Sequence, residues 1–335
     1  MTTASRANEG LLGIAIQSAE GSAAGTATYN HTLYSGLPRP VRADAEMEVA
    51  STSMYVPGMF TSRQHWEANP TFPVLPQSIG TWLRAMFGTV SSTGSGTVTH
   101  TFTPATSPPF VTLWGQNPGT AYRKFADGTV NELAISFEAG QPLRAQANVQ
   151  GYTPSDLAAA WSVTTSEAFD TDGQFFTYIG ATMKLDDDAT PAATTVGTIR
   201  SGVLTISRVP FELIQTDGLE PEHRSLGLFK AAFSLQMLFA NYETFKATYF
   251  GSVAGTTSSA VLTEGAIDFL FGVAPTAAPT NRSLELVVPT ARIAVPDPPD
   301  VDTGAGPVML NVVGTTWKGS SDLITGTLVN AVTSY

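Results

Sequence analysis

Between Val130 and Gly151 the chain alternates apolar and polar residues along two arms joined by Ala139-Gly140-Gln141-Pro142. The first arm sets Leu133, Ile135 and Phe137 against Glu132, Ser136 and Glu138. The return arm sets Leu143, Ala145, Ala147 and Val149 against Arg144, Gln146, Asn148 and Gln150. A period of two over both arms is incompatible with an amphipathic helix and demands an antiparallel hairpin with one packed face and one wet face. The wet face is long, polar and nearly balanced in charge.

Most other segments also read as strands, and helical signals are few. Ile79, Trp82, Leu83, Met86 and Phe87 form one apolar stripe at helical spacing, with Gly88 where a C-terminal cap belongs. Leu238, Tyr242, Phe245, Tyr249 and Phe250 repeat the spacing, and Gly251 follows. These two stretches expose a repeat. Trp82–Val90 reads against Phe245–Val253, an offset of 245 − 82 = 163, and Asn148-Val-Gln-Gly151 reads against Asn311-Val-Val-Gly314, where 311 − 148 is again 163. Each helix precedes a Ser/Thr/Gly-rich turn and an aromatic strand, Val98–Phe102 and Ala266–Phe271.

The shared offset predicts a mainly β protein with two tandem antiparallel β-sandwich domains, each with one flanking α-helix. The expected division is 1–155 for the first domain with an N-terminal arm, 156–175 for a linker and 176–335 for the second domain. The helices are expected over Pro76–Phe87 and Leu238–Phe250, with a short helical turn over Ser155–Trp161. Pro- and Gly-rich loops are expected at Pro57–Pro76, Leu213–His223 and Pro296–Pro307.

Composition narrows the function. Charged residues make up only 13% of the 335, and the formal charge is −11 with five lysines. So low a charge fraction suits a subunit whose faces are covered in an assembly. Tight binding of nucleic acid needs cations this chain scarcely has. There are no cysteines, which removes thiolate nucleophiles, disulfides and cysteine zinc sites. No secretory signal or membrane-length apolar run is evident, so a soluble protein made in a cytoplasm and without membrane contact is expected.

Candidate chemistry is sparse. His31, His65, His100 and His223 lack metal-helix spacing and read as structural. Asp186-Asp187-Asp188, Asp170-Thr-Asp172-Gly173 and the acids Asp297, Asp300 and Asp302 lack a complete calcium-loop pattern and read as solvated turns. No catalytic residue, metal site or cofactor is expected. A paired-carboxylate glycosidase shows no sugar-stacking motif here.

Four stretches resemble the tail tube proteins of siphophages, the long-tailed bacteriophages. They are Gly13-Ile-Ala-Ile-Gln-Ser-Ala-Glu-Gly21, the helix end Phe87-Gly88, Thr99-His-Thr-Phe-Thr-Pro104, and the Gly128–Gly151 hairpin with Val-Asn-Glu-Leu-Ala-Ile-Ser-Phe and Gly-Gln-Pro-Leu. The resemblance covers most of residues 10–155 and continues more loosely to the C-terminus. It implies a structural subunit, without catalysis, assembled into stacked rings whose inner sheets form a barrel around a DNA channel. The implied partners are the chain itself, a tape measure protein, tail terminator or tip proteins, and double-stranded DNA in passage without specific binding. The implied location is the virion tail, assembled in the bacterial host cytoplasm.

On that resemblance Glu132, Ser136, Glu138, Arg144, Gln146, Asn148 and Gln150 are the expected channel-lining residues, the alternative being that they are outer surface. Two tube domains per chain predict a ring of three chains with pseudo-sixfold symmetry, against a hexamer in which one half decorates the outside. From another class, a two-domain β-sandwich adhesin or a capsid decoration protein fits the same composition.

Overall fold

The computed structural model describes residues 10–46, 59–117, 121–152, 154–157, 159–165, 174–186, 199–238, 265–274, 282–294, 309–316 and 324–335. The first strands are β1 (Leu11–Ile16), β2 (Ala27–Thr32), β3 (Arg39–Glu46), β4 (Met59–Ala68) and β5 (Thr71–Pro73). A helix, α1 (Ile79–Phe87), precedes β6 (Gly88–Ser95), β7 (Thr97–Pro104), β8 (Val111–Asn117), β9 (Ala121–Glu138) and β10 (Arg144–Gly151). Then come β11 (Pro154–Leu157), β12 (Val163–Thr165), β13 (Phe175–Asp186), β14 (Ile199–Ile214) and β15 (His223–Leu238). The last are β16 (Gly265–Ala274), β17 (Ser283–Ala294), β18 (Met309–Thr316) and β19 (Thr325–Asn330). The protein is mainly β, as the alternating patterns require.

One long antiparallel sheet runs β3-β4-β10-β9-β14-β15-β18-β17. Two flanking sheets share strands with it. The first runs β12-β2-β1-β8-β9-β11. The second runs β13-β16-β17-β19-β7-β6. The early part of β9 pairs with β8 and β11, and its later part turns into the long sheet. The strand β17 does the same, leaving β16 and β19 to reach β18 with Ala291–Ala294. The order β3-β4-β10-β9 thus recurs as β14-β15-β18-β17, and β1-β8-β9-β11 recurs as β13-β16-β17-β19.

The repeated Asn-Val-x-Gly has a packing cause. Gly151 on β10 lies opposite Trp66 on β4, and Gly314 on β18 lies opposite Phe233 on β15. In both places a Cβ on the glycine would collide with the neighbouring ring, so each ring folds over a strand where no side chain stands. Trp66 and Phe233 are both buried in the core.

The helix α1 is buried nearly all round, with only Arg84 half exposed, and packs against β1, β6, β7 and β9. Trp82 stacks on Phe72 at 4.9 Å. Gly88, at φ 101°, ends the helix and returns its N–H to the Arg84 carbonyl. Phe87 O accepts the Ala105 N–H at 2.7 Å, and a further donor to the last carbonyls comes from far along the chain. The buried Arg208 of β14 donates to Met86 O at 3.3 Å, Phe87 O at 3.2 Å and Ala105 O at 2.6 Å.

Several local expectations change. The helix starts at Ile79 and not at Pro76. Leu238 closes strand β15, and the rest of the second expected helix, 239–250, lies outside the described residues. Pro154–Leu157 is a strand on β9 where a helical turn was expected over Ser155–Trp161, because the exposed flank of β9 offers ladder partners that Pro154 can join at its first residue. The stretch Pro57–Pro76 is not a loop, since β4 and β5 occupy most of it. The strand that holds the β8 position in the second set is β16, so Ala266–Phe271 corresponds to β8 and not to Val98–Phe102.

Candidate functional site

The expected β9–β10 hairpin forms, with Arg144 opposite Ser136, Gln146 opposite Ala134 and Asn148 opposite Glu132. A bulge at Asn148/Val149 takes up Asn131, after which Gln150 faces Thr129. Leu133, Ile135, Phe137, Leu143, Ala145, Ala147 and Val149 are all buried. On the opposite face Glu138, Arg144 and Gln146 are exposed, and Glu132, Ser136, Asn148 and Gln150 are half exposed. The hairpin therefore brings the seven expected residues to one side of one sheet.

The face does not stop at the hairpin. Across β9, β14, β15 and β18 the rungs continue as Glu138–Ser201–Gln236–Asn311 and Ser136–Val203–Ser234–Val313. The next rungs are Ala134–Thr205–Ala232–Thr315 and Glu132–Ser207–Lys230. Between these positions Leu204, Ile206, Phe233, Leu235 and Val312 point into the core. The sequence carries a signal for this extension: Ser201, Val203, Thr205 and Ser207 alternate with Gly202, Leu204 and Ile206. The alternation shows a wet face on β14, but nothing local shows that β14 joins β9.

Over these five strands the charged positions on the rungs are Glu132 and Glu138 against Arg144 and Lys230, so the face sums to zero. The chain as a whole carries −11. The acidity therefore lies away from this face, whose other positions are hydroxyls, amides and small apolar groups. The face is hollowed next to the β9–β10 turn. A hollow of about 430 Å³ is lined by Ser136, Glu138, Arg144, Val203, Ser234 and Asn311, among others. The Arg144 guanidinium lies 4.9 Å from the Tyr34 ring at the edge of that hollow.

The groups with displaced titration serve the core. His31 is buried, its Nε2 accepts the Trp82 indole N–H at 3.1 Å, and burial draws its pKa down from 6.5 to about 3. Burial raises Asp268 despite Lys184 at 3.3 Å. Burial likewise raises Glu285 on the neighbouring strand β17. His100 is buried among Ser92, Asn330 and Val332. Among the described residues no three His, Cys, Asp or Glu side chains gather as a metal site. Of the acidic segments considered, Asp186 ends β13; residues 170–173, 187–188 and 297–302 lie outside the described residues. Among the described residues no helix is long and apolar enough to cross a membrane.

A family model described as phage tail tube protein matches residues 7–317, nearly the whole chain. Among curated proteins no match was found. The chain belongs to the phage tail tube protein family and is a structural component of the phage tail.

Proposed function

We propose that three copies of this chain close into a ring whose inner wall is the polar face, and that such rings stack into the tail tube of a siphophage. The observation that supports this most is the seam between β9 and β14. Ser201 pairs with Glu138 and the ladder continues to Ser207 with Glu132. Two four-stranded groups with the same internal order are thereby joined edge to edge within one chain. The joint is heterologous, with the β9 edge of one group meeting the β14 edge of the other. Repeating a heterologous joint closes a ring when its rotation divides a full turn. Two tandem tail-tube domains per chain are part of this reading.

The arithmetic favours three chains. Eight strands per chain give 3 × 8 = 24. At about 4.8 Å between strands and a tilt of about 35–45°, the circumference is roughly 140–165 Å and the backbone diameter about 45–52 Å. Inward side chains reduce the bore to about 35–40 Å, ample for a duplex about 20 Å across with its water. Six chains lining one barrel would double the backbone diameter.

A neutral, hydroxyl- and amide-rich wall suits a conduit for DNA. Cations there would displace phosphate counterions and hold the duplex, and a strongly acidic wall would oppose entry. The role is structural and not catalytic, with the tape measure protein and terminator or tip proteins as further partners and assembly in the host cytoplasm. Helical reconstruction of tubes assembled from the purified chain tests the reading. Threefold rings with both halves at the lumen are expected; true sixfold rings with one half at the lumen would sink the trimer.

A further inference from the structure

The long sheet ends differently at its two rims. At one rim, here the arm end, two hairpins run past the last rungs of β9 and β10. The pair β14–β15 continues from Ser207–Lys230 to Ile214–His223, and 214 − 207 gives seven residues, about 24 Å at about 3.4 Å per residue. The pair β3–β4 continues beyond the Gly151–Trp66 pairing to Glu46–Met59. The two arms are tied together. Arg63 Nη2 donates to Leu213 O at 3.0 Å, Gln64 N to Leu219 O at 2.7 Å, and Gln215 Nε2 to Ser62 O at 2.8 Å. These bonds join the arms into one projection.

Where β14 and β15 leave the sheet, the wet-face positions change from polar to apolar. The rung after Ser207–Lys230 is Val209–Leu228, and the next is Phe211–Leu226. Leu228 is 75% exposed although it sits within a strand. Ile214, Leu219, Met59 and Phe60 are exposed on the same projection. At the opposite rim, the turn end, the exposed large apolar side chains are Tyr34, Ile179 and Leu238. Among the described residues, the only large exposed apolar side chains away from both rims are Val203 and Val313.

Charge follows the same division. The tip of the β14–β15 arm carries Glu212, Asp217, Glu220 and Glu222. The cations on the β3–β4 arm are already engaged: Arg42 with Asp44 at 2.7 Å, Arg39 with Glu67, and Arg63 with a carbonyl. Among the described residues, the turn end presents exposed Arg144 and Arg200, against one carboxylate, Glu138. An acidic, apolar projection and a basic, apolar rim on opposite ends of one molecule are complementary to each other. A contact of that kind is heterologous along the strand direction and does not close, so it propagates as a filament.

We infer that the arm end of each protomer seats on the turn end of a second copy in the adjoining ring, with Leu228 and the acidic tip as its centre. This rests on the tube reading above, and the tests separate the two. Leu228→Glu should leave rings intact by native mass spectrometry while raising the concentration needed for tubes, seen by sedimentation and negative stain, at least tenfold. Because Leu228 is so exposed, the variant should fold as the wild type does. The double changes Glu212→Lys/Asp217→Lys and Arg144→Glu/Arg200→Glu should each block stacking, and all four together in one chain should restore tubes. Leu228→Glu tubes that form at the wild-type concentration, or loss of the rings themselves, would overturn the docking assignment. Failure of the four-fold variant to recover would overturn the charge pairing. A wild-type chain that makes no tubes at any concentration would count against the tube reading itself.

Discussion

Replacing Arg208 with Met tests whether the two strand groups fold as one body. Arg208 is a second-group residue on β14, yet its three acceptors, Met86 O, Phe87 O and Ala105 O, belong to the end of α1 and the β7–β8 connection. Its guanidinium also lies 4.8 Å from the Phe229 ring. Hydrogen bonds from a charged donor are worth about 1.5–3 kcal/mol each, and a cation at a helix C-terminus adds up to about 2. Against this stands the cost of burying a cation with no carboxylate beside it. That cost is visible in a pKa drawn down from 12.5 to about 10 by burial, with the nearby Arg224 adding to it. Methionine keeps much of the apolar stem but removes the donor to Met86 O and Ala105 O, while Phe87 O keeps the Ala105 N–H at 2.7 Å, so a net loss of roughly 3 kcal/mol is expected, a large share of a typical 5–15 kcal/mol. Arg208→Lys should fall between, since one ammonium cannot span three acceptors in the way a planar fork does. Urea unfolding of a Trp317→Phe background followed by both tryptophan fluorescence and circular dichroism reads this out, because the other four tryptophans, Trp66, Trp82, Trp114 and Trp161, all precede the second group in the chain. In the wild type the two signals should coincide; in Arg208→Met the fluorescence transition should come first. A Met variant within about 0.5 kcal/mol of wild type, with coincident transitions, would refute the reasoning.

Cysteines placed at Gln146 and Gln150, in a chain that has none of its own, should resist a bulky channel-excluded thiol reagent in assembled tubes. Labelling as fast as a cysteine at the exposed Thr93 of the flanking sheet would place the polar face outside. Stability should fall on acidification because His31 has a folded pKa of about 3 against 6.5. The unfolded chain takes the proton first, so the share of stability that His31 contributes above pH 6.5 is lost at up to about 1.4 kcal/mol per pH unit down to pH 3, partly offset at low pH by Asp268 and Glu285, and His31→Asn should remove that share. Gly314→Val should cost at least about 2 kcal/mol because its side chain meets the Phe233 ring, whereas Gly326→Ala, whose nearest neighbour is Leu286 at 3.4 Å, should cost under about 1. Equal losses in thermal or urea unfolding would show that the glycine opposite the ring has no special role.

Elements with one buried face were readable because burial imposes a period. The stripe from Ile79 to Phe87 and the alternation in β9 and β10 are consequences of which atoms leave water. The β3–β4 arm escaped because β3 is exposed on both faces and contains Pro40, so no period is written into it. The strand β11 was misread because Ala158-Ala159-Ala160 favours helix locally while the vacant flank of β9 decides the outcome. The Asn-Val-x-Gly repeat was visible, but its cause lay in rings contributed from strands about eighty residues away in each group. The polar face was half visible for a similar reason. Each strand declares its own wet side, whereas the joining of β9 to β14 is a contact between distant segments. Arg208 could not be found at all, since a lone arginine in a strand gives no hint of a helix end about 120 residues earlier.

A duplicated chain changes the problem of closing a ring. In the proposed trimer three of the six seams are internal, formed once by folding, and only three depend on encounter between molecules. Covalent linkage supplies the internal partner at an effective concentration in the millimolar range, so ring closure needs three bodies and not six. The same arrangement lets the two kinds of seam differ. In the internal seam, residues 132–138 of β9 give an uninterrupted ladder to β14. In the second group β17 holds the position of β9, and the residues that follow it in sequence include Pro296, Pro298 and Pro299. Proline has no N–H to give to a ladder. On the other side, the open edge of β3 carries Arg39, Pro40, Arg42, Asp44 and Glu46, the residue types that keep exposed strand edges from indiscriminate pairing. The open edge of β3 is therefore a poor template for a long backbone ladder, and the sequence after β17 has few N–H groups to offer one. Side-chain matching must contribute more to those seams than to the internal one. In the proposed ring this would keep free protomers from pairing at random and make orderly growth depend on both edges and both rims being satisfied together.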